Sequence, residues 1–373
     1  MRICITRTVK HAYSETFIRD QINGLSKLAD VHTVHSGRFP EKSENGELLS
    51  PKLYWLIHKL IKTFTGRNNY FSNYGVKRFL KSNKIDVVIS NYGTSASHMV
   101  PVCKALNIPL IPIFHGHDAT DKKYLSKYKT KYTKLFEYAA FIIVVSEEMK
   151  NGIISLGANP NKIKVIPCGV NPEKFQPGNE VKKDKNFLAV GRLTPKKGPL
   201  YTIKAFNKLL QVHPDATLTI VGKKDGLYEE CLNLIETLNI QKSVIFTGIL
   251  NQDEIAELMR SSLAFVQHSV TAPNGDMEGT PVSIMEAGAS GLAIISTLHG
   301  GIKDAVIHSE SGYLVQERDS EAMGDYMIEI CNSPDLSLKF GKKGREHILE
   351  NYNQEKQISK IYNLAVNAKK KMS

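Results

Sequence analysis

Short runs of β-branched and aliphatic residues alternate with longer stretches of helical period along all 373 residues of this chain, and that alternation leaves few folds open. The first runs are ICIT (3–6), VHTVH (31–35), DVVIS (86–90), PLIPIF (109–114), FIIVVS (141–146) and IKVIP (163–167). A second series follows with NFLAV (186–190), TLTIVG (217–222), VIFTG (244–248), AFVQH (264–268), LAIIS (292–296) and GYLV (312–315). Strands that are apolar throughout are covered on both faces, and with amphipathic helices between them they form parallel sheets sandwiched by helices. The chain is too long for one ordinary core, so the pattern predicts an α/β protein of two doubly wound, Rossmann-like domains.

The boundary falls in PCGVNPEKFQPGNEVKKDKN, where Pro167, Gly169, Pro172, Pro177 and Gly178 crowd together without a strand or helix period. This predicts a first domain over 1–167, a linker at 168–184 and a second domain over 185–352. The helical stretch at 353–373 ends in lysines, as suits a helix C-terminus, and is expected to pack back on the first domain. Ligands of open α/β sheets bind beyond the carboxyl ends of the strands, and two such domains face to face enclose a cleft. Functional residues should therefore follow strands.

Charge is concentrated. Between Pro51 and Lys134 stand fifteen basic residues against Asp86, Asp118 and Asp121, a difference of +12 that equals the formal charge of the whole chain. PKLYWLIHKLIKTF and KKYLSKYKTKYTKLF mix these lysines with aromatic and aliphatic residues, a composition suited to an anionic membrane surface. A set of solvated helix faces is the plainer alternative. No nucleic-acid-reading motif accompanies the charge, so nucleic acid is not an expected partner. The segment MRICITRTVK leads into a strand rather than a secretory leader, and no apolar run approaches the length of a spanning helix. A cytoplasmic protein, peripheral on the inner face of the cytoplasmic membrane, is the expectation. The five cysteines are scattered singly, without metal-ligand spacing, and read as reduced thiols.

Two motifs carry chemistry. NFLAVGRLTPKKGPLYTIKAF reads as strand, turn and helix: Pro199 suits the first helical position, and Leu200, Ile203, Phe206, Leu209 and Leu210 form the apolar stripe. Arg192 and Lys197 then flank a helix entrance, which already favours anions, and together would hold a diphosphate. A solvated basic turn is the alternative. In GDMEGTPVSIMEAGASGLAIIS, Thr280 is expected to cap a helix starting at Pro281, leaving the N–H groups from Thr280 to Ser283 for a phosphate or sugar hydroxyl. Glu278 precedes that helix. Glu286 lies inside it among small and apolar residues, where a carboxylate needs a partner such as vicinal ribose hydroxyls. In FHGHD, His115 and Asp118 follow the strand PLIPIF and point to a further strand-end site.

GRLTPKKG, EGTPVSIMEAGASG, ISLGANPNKIKVIPCGVNPEKF and STLHGGIKDAV, in that family's order and spacing, make the chain resemble family 4 of the retaining glycosyltransferases, which have the GT-B fold. SETFI, HGHD and TAPNGDMEGTPVSIMEA resemble its bacterial exopolysaccharide, colanic-acid-type branch. The resemblance implies that Arg192 and Lys197 bind the donor diphosphate and that Glu286 meets the nucleotide ribose while Glu278 lies near the donor hexose. Backbone at Gly279, Thr280, Pro281 and Val282 would contact phosphate and sugar. Gly248 and Leu250 would lie against the base, and His115 would stand at the reaction centre. Many members carry a Gly-Gly turn after the first strand; here TRTVKHAYSETF stands instead, so Ser14, Glu15 or Thr16, with Asp118, are the acceptor-site candidates. No Asp-x-Asp triplet occurs, and metal-independent transfer without a cofactor is expected, with Arg192, Lys197 and a helix N-terminus offsetting the leaving charge.

The expected function is transfer of a hexose, with retention, from a UDP-sugar or a GDP-sugar to a saccharide acceptor, lipid-linked and part of surface polysaccharide assembly. Transfer to a soluble acceptor, and a non-catalytic sugar-nucleotide or nucleic-acid binder, are the alternatives.

Overall fold

Each apolar run becomes a parallel strand, and the strands fall into two sheets in the computed structural model, which describes residues 1–10, 15–66, 70–178 and 184–372. The sheets define two units, Met1–Pro167 together with Gln357–Ser373, and Cys168–Lys356. In the first unit the strands are β1 (Arg2–Thr6), β2 (Asp30–His35), β3 (Lys42–Ser43), β4 (Val87–Asn91), β5 (Leu110–Phe114), β6 (Ile142–Val144) and β7 (Ile163–Val165), in the order β3-β2-β1-β4-β5-β6-β7. Only β3 is antiparallel, pairing Val34 with Ser43 and His35 with Lys42. It is too short and too polar to register as an apolar run, so the sequence pattern does not predict it.

The second unit holds β8 (Asn186–Val190), β9 (Thr217–Val221), β10 (Val244–Gly248), β11 (Ala264–Val266), β12 (Ala293–Thr297) and β13 (Gly312–Val315), all parallel, in the order β10-β9-β8-β11-β12-β13. The chain winds outward from β8 in one direction and then from β11 in the other. The junction of β8 and β11 is the switch point at which such sheets open a crevice. Alternate side chains build the two cores: Phe187, Ala264, Val266, Ala293 and Ile295 enter one, while Leu188, Phe265 and Ile294 enter the other. Continuous apolarity along the strands is thus the direct consequence of helices on both faces. The helix Pro199–Leu210 seals the first face with Ile203, Phe206 and Leu209, all fully buried.

Residues 168–178 of the expected linker pack into the second unit, where Val170 exchanges backbone hydrogen bonds with Tyr352 and Gln354 and Phe175 is buried; 179–183 lie outside the described residues. The final helix, Gln354–Met372, belongs to the first unit in all but its first three residues. Ile358 there packs where Gly24 lacks a side chain, Ala365 and Ala368 are fully buried, and Lys369 pairs with Asp86 at 2.9 Å.

Candidate active site

The candidate residues of the second unit gather at the carboxyl edge of its sheet. The chain leaves β8 through Gly191 and Arg192, makes a single turn at Pro195–Lys197, and enters the helix Pro199–Leu210 through Gly198. Gly198 is left-handed (φ 53°), and a Cβ there would stand 1.9 Å from the carbonyl oxygen of His268. That close approach brings Lys196 and Lys197 beside the segment after β11. A small pocket at the switch point is lined by Gly191, Arg192, Lys197, Thr202 and Gln267.

Neither lysine is a solvated surface cation. Lys197 Nζ donates to Glu278 Oε2 at 3.0 Å and to Gln267 Oε1 at 3.3 Å, while Lys196 Nζ lies 3.2 Å from Asp276 Oδ2 and 3.8 Å from Glu278 Oε1. Glu278 is buried, and burial by itself would raise its carboxyl. Lys197 and then Lys196 outweigh that, bringing it from 4.5 down to about 2. Among the described residues its Oε1 receives no hydrogen bond, so a buried acceptor stands open beside two ammonium groups. Arg192 is exposed, and among the described residues its guanidinium has no ion-pair partner.

Two expectations for the following helix need correction. It runs Val282–Ala289 with Pro281 at its N-cap, so Pro281 precedes the helix rather than opening it. Thr280 does not cap it; its hydroxyl instead accepts a hydrogen bond from the Cys168 amide at 3.4 Å. Proline at the cap position offers no side-chain acceptor, so the first-turn N–H groups have no side-chain cap. Glu286, on the second turn, is buried rather than an ordinary solvated helix glutamate. Gly279 and Pro281 are buried and Val282 is half-buried. Gly248 closes β10 with φ 80°, and Leu250 packs against the second core.

A pair that the motif reading missed holds the Glu278 loop. The Glu278 amide donates to His299 Nε2 at 3.1 Å, and His299 Nδ1 donates to Glu317 Oε1 at 2.6 Å. Glu317 also accepts from the Thr271 amide and hydroxyl. Its carboxylate fixes the His299 tautomer, and the imidazole in turn fixes the backbone carrying Glu278. STLHGG supplies this histidine after β12, and Gly300 beside it is left-handed (φ 48°), where a Cβ would stand 2.2 Å from the Glu278 carbonyl oxygen. The only sequence signal was a histidine after a strand.

In the first unit, His115 follows β5 beside Asn91, the last residue of β4. Asn91 Nδ2 donates to Gln21 Oε1 at 3.0 Å, which turns its carbonyl to His115 Nε2 at 2.8 Å. Nε2 therefore carries the proton, and Nδ1 is a buried lone pair without a hydrogen bond among the described residues. Burial lowers His115 to about 4, more than Asp118 raises it, so the ring is neutral at neutral pH. Phe17 and Tyr92 pack against it with ring centroids 4.8 and 5.1 Å away. Tyr92 takes φ 70°, a strained value for a residue with a side chain, and donates from its hydroxyl to Glu15 Oε1 at 2.6 Å.

Asp118 is fully buried, and its carboxylate accepts from the amides of Gly93, His115 and Gly116. It ties the ends of β4 and β5 together and holds His115 in place. Glu15 and Thr16 are half-buried at the start of the helix Thr16–Ser26; Ser14 lies outside the described residues.

A sheet that opens at its switch point, with paired cations and buried carboxylates after its strands, has the arrangement of a binding site for an anionic, hydroxyl-bearing ligand. The family pattern "Glycosyl transferases group 1" matches residues 170–347, and "Glycosyltransferase Family 4" matches residues 14–174. This chain belongs to glycosyltransferase family 4, a retaining family of the GT-B fold. It is 30% identical over 282 residues to the putative colanic acid biosynthesis glycosyltransferase WcaL of Escherichia coli, covering 73% of this chain and 68% of that one. It is 29% identical to the amylovoran biosynthesis glycosyltransferase AmsK of Erwinia amylovora (76% and 73% covered). A third relative, 26% identical with 78% and 77% covered, is the UDP-Gal:alpha-D-GlcNAc-diphosphoundecaprenol alpha-1,3-galactosyltransferase of E. coli. Among solved structures, a glycosyltransferase from Rickettsia africae superposes with a TM-score of 0.78 at 18% identity (99% and 98% covered). Anabaena HepE in complex with UDP and glucose gives 0.75 at 16% (98% and 100% covered). At these identities the structural likeness is one of fold. The chain is a retaining glycosyltransferase that takes a sugar from a nucleotide sugar.

Proposed function

We propose that this enzyme transfers a hexose from a UDP-sugar to a lipid-linked saccharide during assembly of a surface polysaccharide, at the inner face of the cytoplasmic membrane. The observation that carries the donor side is the Lys197–Glu278 pair at the carboxyl edge of the second sheet, with Lys196 beside it and Oε1 of Glu278 open. Arg192 and Lys197 take the diphosphate, Glu278 a hydroxyl of the hexose and Glu286 the ribose. Backbone from Gly279 to Val282 completes the phosphate and sugar contacts, and Gly248 and Leu250 lie against the base. The names of the relatives support the polysaccharide setting and, for one of them, both UDP and a diphosphoundecaprenol acceptor.

Retention proceeds by front-face attack. The bond from the anomeric carbon to the diphosphate oxygen breaks, the bond to the acceptor oxygen forms on the same face, and the acceptor's proton passes to the departing phosphate. In this reading Lys197 and Arg192 offset the negative charge that grows on that phosphate, without a metal. His115, neutral and with Nδ1 open, accepts a hydrogen bond from a sugar hydroxyl and orients it; Glu15 and Thr16 meet the acceptor.

Release of UDP from UDP-sugars, measured with and without a polyprenyl-diphosphate-linked saccharide, tests the reading. The acceptor should stimulate release, and Lys197→Ala and Glu286→Ala should abolish it. UDP should raise the melting temperature of the wild type and much less that of Lys197→Ala. A melting temperature indifferent to both UDP and GDP would overturn the donor assignment; stimulation by GDP-sugars alone would replace the base.

A further inference from the structure

The helix Lys52–Thr65 is anchored on one side only. Tyr54 packs edge-on against Phe71 and Tyr74, His58 is buried, and Trp55 Nε1 donates to Glu41 at 3.0 Å. On the opposite side Leu53, Leu56, Leu60 and Phe64 are 64, 57, 62 and 82% exposed. Their spacing of three, four and four residues lays them along one stripe of the helix surface. No other helix described here exposes more than one large apolar side chain, so this stripe is a continuous ridge rather than the scatter normal on a protein surface.

The surroundings of the ridge are cationic. Lys52 and Lys59 flank it, Lys59 and Lys62 pair with Glu41, and the charges of Lys131, Lys62, Arg38 and Lys127 all bear on His98. Lys62, on the last turn of the ridge helix, and Lys127 and Lys131 of the helix Lys122–Tyr138 therefore lie within electrostatic reach of one imidazole, with Lys131 Nζ 3.3 Å from His98 Nε2. Lys122–Tyr138 itself carries six lysines and one acid, Glu137. An apolar ridge rimmed by cations matches a bilayer whose headgroups are anionic: leucines and phenylalanine enter the acyl boundary, and lysines meet the phosphates.

We propose that the helix Lys52–Thr65 is a membrane-docking element, with the Leu53, Leu56, Leu60 and Phe64 ridge immersed in an anionic leaflet. It rests on the functional reading above only in that a lipid-linked acceptor lies in such a leaflet, and its test uses no sugar transfer.

Trp55 is the sole tryptophan of the chain and sits on this helix, so its fluorescence reports docking of this element and no other. With the full chain and vesicles of phosphatidylcholine, alone or mixed with phosphatidylglycerol, only the anionic vesicles should bind. Lipids brominated in their acyl chains should then quench Trp55, and binding should weaken as salt rises. Leu56→Gln/Leu60→Gln/Phe64→Gln should lower the binding constant by about a hundredfold or more with the melting temperature unchanged. Lys127→Glu/Lys131→Glu should lower it about thirtyfold or more and flatten its salt dependence. Three results would overturn the proposal: no binding to anionic vesicles, wild-type binding by the ridge variant, or a ridge variant that turns a dimer into a monomer without changing vesicle binding. The last would assign the ridge to a second copy of this chain. Failure here would leave UDP-dependent stabilisation intact, and failure of the donor assignment would leave vesicle binding intact.

Discussion

Replacing Glu278 by glutamine keeps the shape of a buried side chain and removes the charge that Lys197 and Lys196 hold, so its effect can be worked out from the electrostatics of the site. The folded carboxyl sits at about 2 against an ordinary 4.5. A lowered folded value means that the group stabilises the fold above its unfolded value and loses that contribution as pH falls through the folded one. The difference corresponds to about 3 kcal/mol at neutral pH, at 1.36 kcal/mol per unit. Most of it persists at pH 4.5, rather less than half remains at pH 3, and little survives at pH 2. Other carboxylates titrate over the same range, but they do so equally in the wild type and in Glu278→Gln, and cancel in the difference between them.

Urea unfolding followed by far-ultraviolet circular dichroism, at pH 7 and at pH 3, reads that difference. The gap in stability between wild type and variant should shrink by about 2 kcal/mol on going from pH 7 to pH 3. Parallel curves at the two pH values would refute the reasoning, because they would mean that Glu278 titrates normally and that the two lysines do not hold it.

Other outcomes follow from the same geometry. Phe206→Ala, at a fully buried site against the second-unit sheet, should cost about 3–5 kcal/mol in a denaturant melt. Asn91→Asp places a carboxylate beside His115 Nε2, so the His115 value, read from the pH dependence of its ring proton resonance, should rise from about 4 by at least one unit. Glu317→Gln should weaken the hold on His299 and lower stability by about 1–3 kcal/mol, measured by thermal melting. Gly300→Ala forces a Cβ against the Glu278 carbonyl at a left-handed position, and should lower the melting temperature by more than a surface substitution would.

The apolar runs and their helical spacers were legible because both periods are local: a strand covered on two faces must be apolar along its length, and a helix covering it must be apolar on one side. The same locality made GRLTPKKG and EGTPVSIMEAGASG readable as strand-end motifs. It could not reveal that Lys197 would be paired with Glu278, 81 residues away, or that Lys196 would take Asp276 and approach the same carboxylate. Nor could it distinguish Asp118 as a ligand-facing acid from Asp118 as the acceptor of three backbone amides, since both require an acidic residue after a strand.

The His299–Glu317 pair was missed for a related reason. Its members follow two different strands, β12 and β13, and only parallel pairing of those strands sets their ends side by side. The exposed ridge of Lys52–Thr65 is a similar case: helical spacing predicts a stripe, but whether that stripe faces a core or the outside depends on which side Phe71, Tyr74 and Glu41 occupy. Periodicity and motif spacing thus determined that this is a doubly wound α/β chain with cations and carboxylates after its strands. Which carboxylate meets which cation, which acid is taken up by backbone and which apolar face is left open were decided by tertiary packing, because partner choice depends on distances between strand ends that no local pattern encodes.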